Sequence, residues 1–121
     1  MVNHMILIVI KVIIFIIIIT LMKLTAKQIK NKLTEVMDPE LNISIVDLGL
    51  IYKVALIKNK VKVLMTLTTI GCPLFSLIET QIKDKIKELG IKDKDISLEL
   101  TFEPPWSMEK MSKKGRAMLG I

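Results

Sequence analysis

The sequence predicts an α+β fold, a small two-layer α/β domain whose helices pack on one face of a three-stranded mixed or antiparallel sheet. Hydrophobic periodicity carries this prediction, because apolar residues recur at helical spacing in some segments and alternate with polar residues, as in strands, in others. The segments follow in the order α-β-β-α-β-α, over residues 25–38, 50–57, 60–68, 73–90, 96–102 and 108–113. Helices over one face of a small sheet are the natural packing for that order.

The first helix is predicted to begin at a capping box, Thr25-Ala26-Lys27-Gln28. Ile29 and Leu33 follow at helical spacing, and the pattern carries the helix to about Asp38. Asp38 precedes a proline and is therefore pushed out of the helical region, which ends the helix. Residues 39–42 are predicted to form a turn or loop.

Two β-rich runs come next and predict a hairpin. They cover residues 50–57 and 60–68, and Lys58-Asn59 separates them. Alternation is clearest at Val61, Val63 and Met65, so this side of the second strand is expected to face the core.

The second half of the chain predicts a helix, a strand and a short helix. The second helix begins at Pro73 and is closed by Gly90 in the C′ position. The third strand ends where Pro104 and Pro105 cannot donate ladder hydrogen bonds. Ser107 is placed to cap the short third helix over 108–113.

The N-terminal residues 1–22 are set apart from a single domain over 23–121. Residues 5–22 form an apolar run of membrane-spanning length, broken by Lys11. Lysines follow directly, so a membrane anchor here would keep the domain in the cytoplasm. The alternative is a start assigned too far upstream, with Met22 as the natural beginning; hydropathy does not separate the two. A cleavable signal peptide is disfavoured, because the run has neither a basic segment before it nor a small-residue cleavage site after it.

Composition limits the partners and the compartment. The chain has 121 residues, a net charge of +6 and one cysteine, so it can form no internal disulfide and fits a reducing cytoplasm. Arg116 is the one arginine and the few aromatic residues are scattered, so we expect no nucleic-acid binding.

The one cysteine, Cys72, lies in Gly71-Cys72-Pro73, where a strand-like run gives way to a helix-like run. If the helix begins at Pro73, Cys72 falls at or next to its N-cap. The positive end of the helix can lower a cysteine pKa and so favour the thiolate, which attacks electrophiles or binds soft metals. The structural alternative is a small buried residue that caps a core helix.

Three further groups of residues are candidates for chemistry or binding. They are the carboxylates of Asp38, Glu40 and Asp47, the hydroxyls of Thr66, Thr68 and Thr69, and the stiff loop of Glu103, Pro105 and Trp106. Hydroxyls can hydrogen-bond a thiolate, and an exposed tryptophan is a typical interface anchor. Each group also has a structural interpretation, since Asp-Pro turns the chain, threonine favours strands and tryptophan fills the edge of a core.

The residue types that the sequence lacks argue against an enzyme and against a stable metal site. A cysteine nucleophile normally needs a positioned base, and the one histidine, His4, lies outside the predicted domain. Zinc needs about four ligands, and an iron–sulfur cluster is usually held by several cysteines. One thiolate can share a metal or cluster with a second subunit, a small thiol or a client protein, and then release it.

At these positions the chain resembles a known family, the small iron–sulfur assembly domain of the bacterial PaaD and SufT proteins and of the eukaryotic cytosolic iron–sulfur targeting subunit. The resemblance covers about residues 24–121, and four ordered motifs carry it. The matching segments are Asp38-Pro39-Glu40, Ser44-Ile45-Val46-Asp47-Leu48-Gly49-Leu50-Ile51, Met65-Thr66-Leu67-Thr68-Thr69 with Gly71-Cys72-Pro73, and Glu103-Pro104-Pro105-Trp106-Ser107 with Met111-Ser112 and Gly115-Arg116.

The resemblance implies a role in maturing iron–sulfur proteins, with the assembly machinery and apo-client proteins as partners. The family's reactive cysteine maps onto Cys72, and its acidic and threonine neighbours map onto Asp38, Asp47 and residues 66–69. Cys72 would then hold a transient iron–sulfur cluster, shared with a second subunit of a homodimer or with a partner. The chain lacks the paired Cys-x-x-Cys of scaffold proteins with a similar fold, which favours a transient carrier or adaptor over a stable scaffold.

The leading interpretation is therefore a non-enzymatic cluster carrier or adaptor. The alternative is a metal-free docking module that binds a partner through the Pro-Pro-Trp loop. A thiol-dependent enzyme comes third.

Overall fold

The computed structural model describes residues 3–21, 23–69 and 73–121 and has an α+β architecture. Its helices are α1 (His4–Leu21), α2 (Ala26–Leu33), α3 (Phe75–Lys87) and α4 (Lys113–Leu119). Its strands are β1 (Ile51–Ile57), β2 (Lys60–Met65) and β3 (Ile96–Leu100). From α2 onward the order is α-β-β-α-β-α, which confirms the predicted fold class.

The sheet is mixed, with β2 at its centre. β1 runs antiparallel to β2, and Val54 lies opposite Val63. The turn between them places Lys58 and Asn59 at φ +49° and +63°, the left-handed pair of a type I′ hairpin. β3 runs parallel to β2, and α3 supplies the crossover that a parallel pair requires.

The core lies between one face of the sheet and helices α2 and α3. β2 turns Val61, Val63 and Met65 inward, and all three are buried. The helices cover them with buried side chains at helical spacing, namely Ile29 and Leu33 of α2 and Ile78, Ile82 and Ile86 of α3. The irregular segment before β1 adds Ile43, Ile45, Leu48 and Leu50 to the same cluster. One core therefore joins the two layers.

The apolar side chains of residues 5–18 in helix α1 are exposed, and Phe15 is 64 % exposed. None of the described residues of α1 belongs to the buried core. Within 3–21, 23–69 and 73–121, no helix is long and apolar enough to cross a membrane. The anchor predicted over residues 5–22 extends beyond the described side chains and stays a prediction.

The prediction that the first helix reaches Asp38 is wrong, since α2 ends at Leu33. Two tertiary contacts end the helix early. Met37 forms a β-bridge with Ser44, and the Asp38 N–H donates to the carbonyl of Ile43 at 2.8 Å. This pairing holds residues 36–38 extended alongside residues 43–45. The capping box at Thr25 is present as predicted.

The prediction that the second helix starts at Pro73 is also wrong. Helix α3 begins at Phe75, and its N-cap is Leu74, which makes no side-chain capping bond. Pro73 and Leu74 form a turn ahead of the helix, so the N-cap position predicted for Cys72 belongs to Leu74. At the other end α3 stops at Lys87, and Gly90 adopts φ +95° in the turn that follows.

The predicted third helix over 108–113 is replaced by a 3₁₀ turn and a later helix. The turn is Met108–Lys110, and α4 begins at Lys113. Ser112 caps α4 by accepting the Gly115 N–H at 3.0 Å, whereas Ser107 makes no capping bond. The helix is displaced because Met111 is buried in the core and the Ser112 N–H donates to the Asp47 carbonyl at 2.9 Å.

Candidate functional site

Segments from three of the four sequence motifs meet at one end of the sheet. β2 and β3 are parallel, so the residues that follow them, Thr66 and Thr101, lie at the same end, where antiparallel β1 begins. The Thr66 N–H donates to the Leu50 carbonyl at 2.9 Å, and the Thr101 N–H donates to the Met65 carbonyl at 2.8 Å. The sheet thus brings together 47–50, 66–69 and 101–106, which are far apart in sequence.

The predicted threonines differ in exposure. Thr66 is fully buried, and its hydroxyl lies 3.5 Å from the Leu67 carbonyl, so its role is in the core. Thr68 and Thr69 are exposed and lead the chain towards Cys72. Cys72 itself lies outside the described residues, and the position of its thiol stays a prediction. The two exposed hydroxyls are the ones free to meet a ligand at this end of the sheet.

Asp47 is held by the C-terminal part of the chain. Its carboxylate accepts the Ser112 hydroxyl at 2.8 Å, while its backbone carbonyl accepts the Ser112 N–H at 2.9 Å. The half-buried Asp47 therefore has a structural task, to fix the segment before β1 against the start of α4.

Trp106 holds the same segment from a second point. Its indole N–H donates to the Leu48 carbonyl at 2.6 Å, and its ring is half-buried against the core. The tryptophan thus anchors its own loop. Glu103 and Pro105 of the loop are exposed, and the Tyr52 hydroxyl bonds the Pro104 carbonyl at 2.7 Å.

Two glycines allow these segments to approach so closely. Gly49 adopts φ +77°, and a Cβ there would collide with the Lys110 carbonyl. A Cβ on Gly115 would lie 2.7 Å from the Asp47 carbonyl oxygen. Together with the Asp47 and Trp106 bonds, these contacts form the C-terminal clamp, by which residues 106–115 hold residues 46–49.

Asp38 organises its own loop. Its carboxylate accepts the N–H groups of Glu40 and Leu41 at 2.8 and 2.9 Å, and its carbonyl accepts the Asn42 N–H at 2.8 Å. Glu40 is exposed beside it. These bonds explain the Asp-Pro-Glu motif as a turn.

Residues 26–102 match the sequence profile of the iron–sulfur cluster assembly protein family. The chain belongs to this family. The match runs from the start of α2 to Phe102, so it includes the first three sequence motifs and ends before the Pro-Pro-Trp loop.

Curated relatives agree with this family. The chain is 38 % identical over 96 residues to the Fe-S protein maturation auxiliary factor YitW of Bacillus subtilis, covering 78 % of this chain and 93 % of the relative. It is 40 % identical over 87 residues to the Fe-S protein maturation auxiliary factor SufT of Staphylococcus aureus, covering 71 % of this chain and 98 % of that protein.

Solved structures share the fold. The crystal structure of a domain of unknown function, DUF59, from Bacillus anthracis superposes with a TM-score of 0.74 at 35 % identity, covering 79 % of this chain and 92 % of that one. A conserved hypothetical protein of Thermotoga maritima gives a TM-score of 0.68 at 39 % identity, covering 82 % of this chain and 97 % of the other.

The described part of this iron–sulfur assembly domain holds no ready-made metal site. Within 3–21, 23–69 and 73–121, no three His, Cys, Asp or Glu side chains are grouped so that they could bind a metal ion. Asp38 and Asp47 are engaged by hydrogen bonds from their own loop and from Ser112. Their assignment as ligands of a cluster stays a prediction.

Local sequence patterns did not predict the partners in the clamp. Ser112 and Gly115 were indicated only by the family resemblance, and Tyr52 and Lys110 were not predicted. Ser112 had a local signal, a helix-capping serine ahead of Lys113, whereas the Lys110 ammonium over the Tyr52 ring, 4.9 Å from its centroid, had none.

Proposed function

We propose that this chain is a maturation factor for iron–sulfur proteins, which carries a labile cluster on the thiolate of Cys72 and delivers it to apo-client proteins. Membership of the iron–sulfur cluster assembly family supports the maturation role, and relatives at 38 and 40 % identity are named maturation auxiliary factors. In this proposal the protein is not an enzyme, and it works in the cytoplasm, where its free thiol stays reduced.

The observation that carries this proposal is the meeting of segments from three sequence motifs at the sheet end next to Thr68 and Thr69. The chain runs from these exposed threonines directly to Cys72. The clamp fixes the segment before β1, since Asp47 and Leu48 are both bonded to the C-terminal segment. A rigid rim with free hydroxyls suits a site that presents one thiolate to a partner.

One cysteine suits transfer better than storage. Iron–sulfur clusters are commonly held by four cysteines, and this chain has one. The other ligands would come from a second copy of the chain, a small thiol or the client. Transfer is then ligand exchange. The bond between iron and Sγ of Cys72 breaks as a bond between iron and the sulfur of a client cysteine forms, and no oxidation state changes.

The test is anaerobic reconstitution of the full chain with iron and sulfide, in mild detergent because α1 exposes apolar side chains. We expect wild type to develop a visible chromophore and to bind iron, and Cys72→Ser to show only background, because the serine hydroxyl does not replace a thiolate ligand. Visible absorption and iron content are the two readouts.

Ser76→Ala serves as the matched control, since Ser76 is an exposed side chain shortly after Cys72. Circular dichroism establishes that each variant is folded. A Cys72→Ser protein that binds as much iron as wild type and activates an apo-client normally would contradict the carrier role.

The second candidate function is a metal-free docking module. The exposure of Glu103, Pro104 and Pro105 favours it, because these residues form a protruding loop fixed at both ends by Thr101 and Trp106. Failure of wild type and Cys72→Ser alike to bind iron, with client activation retained in both, would favour this function.

A further inference from the structure

The sheet has a second face that α2 and α3 do not cover. The side chains that alternate with the core residues point to it, and they include Lys53, Ala55 and Ile57 of β1 and Lys60, Lys62 and Leu64 of β2. Two adjoining cavities, of about 420 and 210 Å³, lie over this face. We call the surface that lines these two cavities the open face.

The open face has an apolar floor. Ala55 lines both cavities, Ile57 lines the larger one and Leu64 the smaller one. Ile57 is 68 % exposed, although β-branched apolar residues of this kind are usually buried. Apolar side chains of a partner would find contacts here.

Lysines surround this floor, and most of them are unpaired. The two cavities are lined by five lysines and two carboxylates, an excess of three positive charges, from Lys53, Lys58, Lys60, Lys62, Lys94, Asp95 and Glu99. In the described part of the chain, only Lys62 of these five lysines has a carboxylate within reach, 2.9 Å away on Glu99. Four ammonium groups therefore face solvent around an apolar floor.

Several lysines of the helical layer, in contrast, have carboxylate partners. Lys32 pairs with Glu35 at 3.0 Å, Lys83 with Glu79 at 3.3 Å and Lys87 with Asp93 at 3.1 Å. These three lysines have carboxylates within reach, whereas four of the five lysines at the open face have none among the described residues.

We propose that the open face docks an extended acidic segment of a partner protein, in which carboxylates alternate with apolar side chains. Lys60 and Lys62 lie two residues apart on one strand, so their stems leave the sheet about 7 Å apart. Alternate side chains of an extended peptide have the same spacing. Its carboxylates would pair with these lysines while its apolar side chains rest on Ile57 and Leu64.

Charge disfavours the other occupants. A second copy of the chain, packed through the same face, would set lysines against lysines. Against a nucleic acid, neither an arginine nor an aromatic side chain lines the two cavities for stacking. This proposal goes beyond the maturation function and does not depend on Cys72.

The test is fluorescence anisotropy with the full chain in mild detergent. The probe is a dye-labelled peptide of about 12 residues that alternates Glu with Leu or Ser, and a matched peptide with Lys in place of Glu is the negative probe. We expect the acidic probe to bind and the basic probe not to bind. Lys60→Glu with Lys94→Glu should weaken binding about tenfold or more, because both substitutions set like charges against the probe.

The matched control is Lys27→Glu with Lys113→Glu, which changes the net charge equally at exposed sites away from the open face. We expect it to weaken binding no more than about twofold, through long-range attraction alone. Ile57→Ser should also weaken binding, whereas Met118→Ser, at an exposed methionine of α4, should not.

Equal losses in the two charge variants would overturn the proposal, because binding would then follow net charge alone. It would also be overturned if a single-stranded oligonucleotide displaced the probe and bound more tightly, or if sedimentation showed a dimer that Lys60→Glu with Lys94→Glu strengthened. A loss confined to the open-face variants supports it.

Discussion

At the scale of single residues, Gly49 has the most demanding position in the C-terminal clamp. It combines φ +77° with the close approach of the Lys110 carbonyl, whereas Gly90 has φ +95° and open space around it. The two glycines thus differ in what a side chain would meet.

We therefore expect Gly49→Ala to destabilise the fold much more than Gly90→Ala. Both substitutions force alanine into the left-handed region, at roughly 1–2 kcal/mol. Gly49→Ala must in addition move the Lys110 segment, which adds about 1–3 kcal/mol as in an overpacked core. Urea denaturation of the two variants measures the difference. Equal midpoints would contradict the prediction, because they would show that the Lys110 segment moves without loss of stability.

Residue types alone predicted part of the site. The sequence identified Asp38, Asp47 and Trp106 as unusual, because carboxylates in irregular chain and a lone tryptophan after two prolines are conspicuous. It could not show that Asp47 bonds Ser112 or that Trp106 bonds Leu48, since these partners are 65 and 58 residues apart. Such contacts depend on tertiary packing, which no local pattern encodes.

At the scale of elements, ion pairs join α2 to α3. Lys85 of α3 lies 3.5 Å from the Glu35 carboxylate, which also pairs with Lys32 of α2 at 3.0 Å. The hydrogen bond from Lys32 lowers the pKa of Glu35 below its ordinary value of 4.5, and the same bond raises the pKa of Lys32. The charged forms therefore support the contact between the helices.

Glu35→Gln should consequently lower stability at neutral pH and make no difference in acid. Since folding lowers the pKa of Glu35, its contribution is present above the ordinary pKa and is lost as pH falls through the lowered value. The effect is small because the pair is exposed, and high salt should reduce it further. Thermal unfolding at several pH values measures it against Glu40→Gln, and a pH-independent difference between wild type and Glu35→Gln would contradict this account.

Element types were predictable, and element ends were less so. Periodicity located α2, β2 and α3, because each buries one regular face. The ends moved where tertiary hydrogen bonds competed with local preference: the Met37–Ser44 bridge shortened α2, and the Ser112–Asp47 bond displaced α4.

At the scale of the whole molecule, we expect the N-terminal helix to be separable from the domain. The buried core is built from residues between Ile29 and Met111, and no described residue of α1 joins it. The relatives from Bacillus subtilis and Staphylococcus aureus match this chain over 93 and 98 % of their own lengths while covering 78 and 71 % of it.

A chain without residues 1–22 should therefore unfold at the same urea midpoint as the full chain. The reason is that no described residue of α1 belongs to the buried core. Paired denaturation curves followed by circular dichroism test this expectation, and a clearly lower midpoint for the shorter chain would show that α1 supports the domain.

The parallel pairing of β2 with β3 also sets an order of assembly. A two-residue turn joins β1 to β2, whereas Val61 meets Ile96 only after the segment containing α3 has looped back. Long loops cost more conformational entropy to close, and distant pairings slow folding. On the ribosome the hairpin should therefore form first and leave one edge of β2 unpaired until β3 emerges. During that interval the unpaired edge of β2 could pair with the strands of other chains and so promote aggregation.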